Sequence, residues 1–196
     1  MASIDRGVFH STLKRELRLA WEGLRHAHTH ETFYSFGLYT TDVVDYLMVT
    51  ASTEEGLVTA AQAYADQGGG NPALFRASLR WSPCDSPIHA EGANLLTESE
   101  GLRRAGPDPY DESSESNEAI ELVFDVAVAV LRELDAEGIF GKDLERARVV
   151  LGIWKGDQTD EERIEFVRVV NPKLVAQRYE RGIAVGTEAF FKLHPP

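Results

Sequence analysis

The sequence predicts an α+β fold, with an antiparallel or mixed sheet of four to five strands packed against several helices. Three long segments repeat apolar residues every three or four positions, which is typical of amphipathic helices. Four shorter segments alternate apolar and polar residues or are rich in aromatic and β-branched residues, which favours strands. The chain has 196 residues, so we expect a single domain over residues 1–196.

The first elements are a helix and a β-hairpin. Residues 5–27 place Phe9, Leu13 and Leu17 on one stripe, and Asp5 can cap the helix start. Residues 32–41 and 44–51 are two β-rich runs separated by a short turn, which predicts a hairpin.

A second helix and a third strand follow. Ser52 and Glu55 match a capping box, which predicts a helix over 53–66 that ends at the three glycines 68–70. Residues 73–81 alternate between apolar and polar positions, which predicts a half-buried strand. Residues 91–104 are compatible with a short helix.

The second half begins with an acidic loop. Residues 105–117 contain proline, glycine, serine and acids without an apolar period, so we predict an exposed loop there. Residues 118–136 are apolar around much of the helix circumference, which predicts a central helix. Residues 148–155 are apolar on both faces, which predicts a strand inside the sheet.

The C-terminal part starts with a segment that fits two structures. A capping box at 159–162 favours a helix over 160–170, but the apolar positions also fit a strand. Asn171 as N-cap and Pro172 at the first helical position predict a further helix to about Arg181.

Charge and composition favour a soluble, cytoplasmic protein. The formal net charge is −12, which disfavours nucleic acid and anionic lipid and favours a basic partner. There is one cysteine, no signal peptide at the start and no apolar stretch of the roughly 20 residues that span a membrane. The same charge also fits an acidic surface that serves only solubility.

The segment 26–30 is the weak candidate for a metal site. On an extended chain His26, His28 and His30 would point the same way, as zinc ligands can. No further ligand follows at a diagnostic spacing, and a polar linker explains the residues equally, so we predict no metal and no cofactor. Cys84 lies next to Asp85, which disfavours a reactive thiolate, and we assign no catalytic residue.

The acidic loop is the candidate partner-binding site. Crowded like charges should keep it extended, and they concentrate negative potential where a basic partner can reach it. We expect it to project from the fold and to contribute little to stability, and a solvated insertion without a role is the alternative. The candidate residues are Asp108, Asp111, Glu112, Glu115 and Glu118.

Several short motifs in order resemble an uncharacterised bacterial family, domain of unknown function 4303. They are Phe33 to Thr40, Ser52 to Leu57, Leu79 to Pro83, Val150 to Asp157 and the pair Asn171-Pro172. A tryptophan usual in the family soon after Trp81 is replaced here by Ser86-Pro87-Ile88-His89. The resemblance covers about residues 5–180 and implies no known activity and no catalytic residues.

The functional expectation is a non-enzymatic binding protein. The acidic charge and the missing catalytic motifs favour it, and the resemblance suggests an immunity protein that neutralises a basic toxin. One alternative is an enzyme of unknown class with a site around His26, His28, His30 and Asp157. The other is a housekeeping domain that binds a small molecule.

Overall fold

A computed structural model describes residues 3–194 of the chain. Along this range the helices are α1 (Arg6–Ala27), α2 (Glu54–Gly68), α3 (Pro72–Leu79), α4 (Thr97–Arg104), α5 (Ser114–Ala136), α6 (Asp143–Arg146), α7 (Asp160–Val170) and α8 (Lys173–Leu193). The strands are β1 (Phe33–Thr40), β2 (Met48–Thr53) and β3 (Val150–Lys155). The α+β class and the mixed sheet are therefore confirmed. No helix within this range is both long and apolar enough to cross a bilayer.

The sheet has the order β2-β1-β3. β1 pairs antiparallel with β2 and parallel with β3. The described residues thus form three strands, and the expected four to five are not found. The predicted place of the strand 148–155 inside the sheet is wrong, because β3 lies at the edge. Its residues are nevertheless buried on both faces, since helices cover the sheet on each side.

Two helical layers cover the sheet. Leu13 and Trp21 of α1 and Val130 of α5 share one core with Phe36 and Leu151 of the sheet. On the other face, Tyr34 and Val150 pack with Trp81, Val167 and Tyr179, which brings in α7 and α8. The sheet therefore separates two apolar cores.

The predicted strand 73–81 is wrong, because these residues form α3 and the turn after it. Asn71 caps this helix by accepting a hydrogen bond from the Ala73 amide at 2.9 Å, and Pro72 occupies the first turn. Alanines supplied two of the five apolar positions of the alternating pattern and carry little information about the buried face. Phe75 and Leu79 are four residues apart and pack towards the same small core, as a helix requires.

Other boundaries also move. Ser52 belongs to β2, and Thr53 is the cap of α2. α5 begins four residues earlier than expected, at Ser114, and segment 160–170 is a helix. Asn171 does not cap α8, whose N-cap is Pro172, and α8 continues twelve residues beyond Arg181.

Candidate functional site

The five predicted acidic residues form one exposed surface. Asp108, Asp111 and Glu112 lie on the connection between α4 and α5, while Glu115 and Glu118 lie in the first two turns of α5. We call these five residues the acidic surface. Because α5 starts at Ser114, the loop is shorter than the predicted 105–117, and a helix holds two of the carboxylates.

The connection is fastened to the fold by hydrogen bonds. The Ser116 hydroxyl donates to the Asp108 carbonyl oxygen at 2.8 Å, and Asp108 Oδ1 accepts from the Tyr110 amide at 3.0 Å. The Tyr110 hydroxyl donates to Asp45 Oδ2 at 2.7 Å, and this bond raises the pKa of Tyr110. The carboxylates are thus presented on a folded segment instead of a freely extended one.

A groove of about 380 Å³ opens beside the acidic surface. Ile4, Pro107 and Leu122 supply apolar lining, and the carboxyl-bearing residues Asp111, Glu115 and Glu118 line the same groove. A lining that combines apolar residues and carboxylates matches a lysine or arginine side chain, which has an aliphatic stem and a cationic head.

The neighbouring bases do not neutralise this surface. Arg103 and Arg104 both pair with Glu100, at 3.2 and 2.8 Å. Arg6 contacts Asp125 at 3.6 Å. Over residues 3–194, none of the five carboxylates takes part in an ion pair with these arginines, so the surface keeps its negative potential.

The three histidines do not converge. His26 is on the last turn of α1, and His28 and His30 lie in the turn after it, so the segment is not extended as a shared metal site requires. His28 is held by two carboxylates, with Nδ1 at 2.9 Å from Glu31 and Nε2 at 3.0 Å from Glu91. These bonds, the one to Glu91 first, raise the pKa of His28. Residues 3–194 contain no group of three or more potential metal ligands.

Asp157 lies at the other end of the sheet from the histidines. The histidines precede the first residue of β1, whereas Asp157 follows the last residue of β3. Because β1 and β3 are parallel, these positions are separated by the length of a strand. The structure therefore does not bring the residues of the enzyme hypothesis together.

Cys84 is exposed in a short 3-10 turn, Pro83–Asp85. Asp85 accepts hydrogen bonds from the hydroxyls of Ser82 and Tyr64. His89 is turned towards Tyr39 and Thr50, with Nδ1 at 3.2 Å from the Thr50 hydroxyl, and burial lowers the pKa of His89. Asp85 and His89 thus have partners other than the thiol.

Sequence reasoning missed two features of the surface. The apolar lining by Ile4 and Leu122 was not anticipated, because the two residues are far apart in the chain. A second groove collects Arg76, Arg80, Arg178 and Arg181. The spacing of Arg76 and Arg80 would have signalled a common helical face, had 73–81 been interpreted as a helix.

Residues 13–172 match the family described as Domain of unknown function (DUF4303). This match confirms the resemblance inferred from the ordered motifs. Neither the search of curated proteins nor the search of solved structures gave a match.

Proposed function

We propose a non-enzymatic function for this chain, which belongs to the DUF4303 family. In this proposal it binds a basic protein partner through the acidic surface. The partner class that fits is a basic bacterial toxin, which the chain would neutralise as an immunity protein.

One observation carries the proposal. Three of the five exposed carboxylates line a groove of about 380 Å³ together with apolar residues. Lysine or arginine side chains of a partner can place their stems on Ile4 and Leu122 and their charges against Glu115 and Glu118. Charge-assisted hydrogen bonds of this kind are about twice as strong as neutral ones.

The net charge supports the same partner class. A formal charge of −12 attracts a basic protein over a distance and accelerates its association. Because such steering depends on long-range fields, it weakens as ionic strength increases.

The test uses purified basic proteins encoded beside the gene of this chain. Association rates are measured by stopped-flow fluorescence for the wild type and for a variant with Asp108→Asn, Asp111→Asn, Glu112→Gln, Glu115→Gln and Glu118→Gln. We expect a partner to associate at least about tenfold more slowly with this variant at low salt. The two rates should approach each other at high salt. For a toxic partner, co-expression with the wild type should restore growth.

A matched control separates location from total charge. The variant Glu22→Gln, Asp66→Asn, Asp157→Asn, Glu161→Gln, Glu165→Gln also neutralises five exposed acids, but they lie away from the groove. It should slow association much less. Equal rates for the two variants with a verified partner would remove the acidic surface from the interface.

A further inference from the structure

Four arginines from two helices meet on the face of the molecule formed by α3 and α8. Arg76 and Arg80 come from α3 and the residue after it, and Arg178 and Arg181 come from α8. All four line one open groove of about 410 Å³, which we call the arginine groove. Spacings of four and three residues place each pair on one helical face.

Small and apolar residues line the space between these arginines. They are Ala73, Ala77, Gly182 and Val185, from the same two helices. α3 and α8 contact each other here, and the alanines and the glycine add little bulk between the guanidinium groups. A ligand in the groove would thus contact both guanidinium groups and apolar lining.

The positive charge of the arginine groove is only partly neutralised. Glu54 is the carboxylate that pairs with it, accepting from Arg76 at 3.1 Å and from Arg80 at 2.9 Å. Arg178 instead donates to backbone carbonyl oxygens, including that of Arg148 at 2.7 Å. Four guanidinium groups against one carboxylate leave an excess of three positive charges, in a protein of net charge −12.

The surroundings of Arg178 show the same imbalance. Burial lowers the pKa of Arg178, and the positive charges of Arg80 and Arg146 lower it further. Glu54 is the group that acts in the opposite direction. An anion between the two helices would therefore reduce a repulsion that Glu54 offsets only in part.

We infer that the arginine groove binds a phosphorylated small molecule through a diphosphate or similarly multivalent phosphate group. The planar guanidinium fork fits phosphate oxygens in bidentate fashion. A pyrophosphoryl group carries several negative charges, which match the excess in the groove better than a single carboxylate does. Nucleic acid is disfavoured, because the rest of the molecule repels a long polyanion.

The probes are inorganic pyrophosphate and ADP, titrated calorimetrically at a constant ionic strength of about 0.15 M. The variant is Arg181→Gln, since Arg181 is exposed and its loss should not disturb the fold. The control is Arg132→Gln, which removes an exposed arginine of α5 away from the groove. We expect the wild type and the control to bind at least one probe, and Arg181→Gln to bind it roughly tenfold or more weakly.

Three results would overturn the inference. The first is heats from both probes no larger than those from sodium chloride at equal ionic strength. The second is equal affinity of Arg181→Gln and the wild type for the probes. The third is tighter binding of a single-stranded oligonucleotide than of either probe. The groove is independent of the proposed partner binding. The variant with the acidic surface neutralised should therefore bind the probes at least as well as the wild type, whatever its effect on a protein partner.

Discussion

Gly182 of α8 lies directly against the indole of Trp81. A Cβ atom at this position would be 2.1 Å from Trp81 Nε1. The indole cannot easily retreat, since it packs edge-on against the rings of Tyr34 and Tyr179 at centroid distances of 5.4 and 4.8 Å. We expect Gly182→Ala to lower the free energy of unfolding by about 1–3 kcal/mol through overpacking, as measured by urea denaturation.

Gly23 provides the control for that substitution. It also lies within a helix, α1, but a Cβ there meets nothing within 4 Å. Gly23→Ala should therefore raise the free energy of unfolding, by up to about 1 kcal/mol, through helix propensity alone. If Gly182→Ala also raised the free energy of unfolding, the conclusion that Trp81 packs tightly on α8 would be wrong.

His28 should make stability depend on pH. Its hydrogen bonds to Glu91 and Glu31 raise its folded-state pKa above the unfolded value of about 6.5. The stabilisation is therefore complete below about pH 6.5 and is lost as the pH rises through the folded-state pKa. We expect His28→Asn to be less stable than the wild type by on the order of 1 kcal/mol near pH 6, with a smaller difference at higher pH.

His26→Asn serves as the comparison, because His26 is exposed on the last turn of α1. Unfolding curves recorded across the same pH range should resemble those of the wild type. If the free energies of unfolding of His28→Asn and the wild type differed by a constant amount over the pH range, the imidazolium charge would not contribute to stability.

At the scale of elements, Asn171 holds together β3 and the end of α7. Its side-chain oxygen accepts from the Leu151 amide at 2.9 Å, and its side-chain nitrogen donates to the carbonyl oxygens of Leu151 at 2.7 Å and Val167 at 2.8 Å. The Arg146 guanidinium also donates to the side-chain oxygen of Asn171, at 3.0 Å. Asn171→Ala leaves these groups without partners, and we expect a loss of about 2–3 kcal/mol in chemical denaturation.

Asn117→Ala is the matched substitution, because Asn117 is exposed on α5. It should change the free energy of unfolding by less than about 0.5 kcal/mol. Comparable losses for the two alanine variants would mean that the amide contacts of Asn171 are not important for stability.

The connection before α5 should tolerate neutralisation. All five carboxylates of the acidic surface are exposed, and Glu115 gains only a few tenths of a kcal/mol from the N-terminus of α5. The variant with all five neutralised should melt within about 3 °C of the wild type in a calorimetric scan. A much lower melting temperature would show that the carboxylates help to fold the segment.

Sequence patterns predicted elements where one signal dominated. The stripe of α1 is such a signal, and this helix is confirmed. Segment 160–170 fitted both a helix and a strand, and its capping box at Thr159 and Glu162 marked the structure that it adopts, a helix. The strand prediction for 73–81 was wrong because the segment fits both the two-residue period of a strand and the spacing of a helix. The decisive signal lay just outside it, at Asn71 and Pro72. Asn171 failed for a different reason: its partners on β3 are twenty residues away, and no local pattern reports them.

For the molecule as a whole, the pairing of β1 with β3 was beyond the sequence. Gly37 and Gly152 are partners in adjacent strands, and a Cβ on Gly37 would be 1.9 Å from the Gly152 carbonyl oxygen. The ring of Trp154 lies over both glycines. Such close approach depends on residues more than a hundred positions apart, so it becomes visible only in three dimensions.

The two candidate sites show the same limit. The five acids were predicted, because clustered charge is a property of the local sequence. The apolar lining beside them is supplied by Ile4 and Leu122, and it depends on the packing of α1 against α5. The arginine groove joins residues 76–80 to 178–181, and it exists only because α3 packs on α8.

Parts of both outer strands of the sheet are covered by neighbouring segments. Along β2, the Ser86 hydroxyl donates a hydrogen bond to the Ala51 carbonyl oxygen. Gly92 lies close against the carbonyl oxygen of Val49. Along β3, the amide of Asn171 occupies the backbone groups of Leu151. Exposed strand edges are templates on which further chains stack into aggregates and amyloid. β1 lies in the middle of the sheet, and the covered backbone groups of β2 and β3 are not available as such templates.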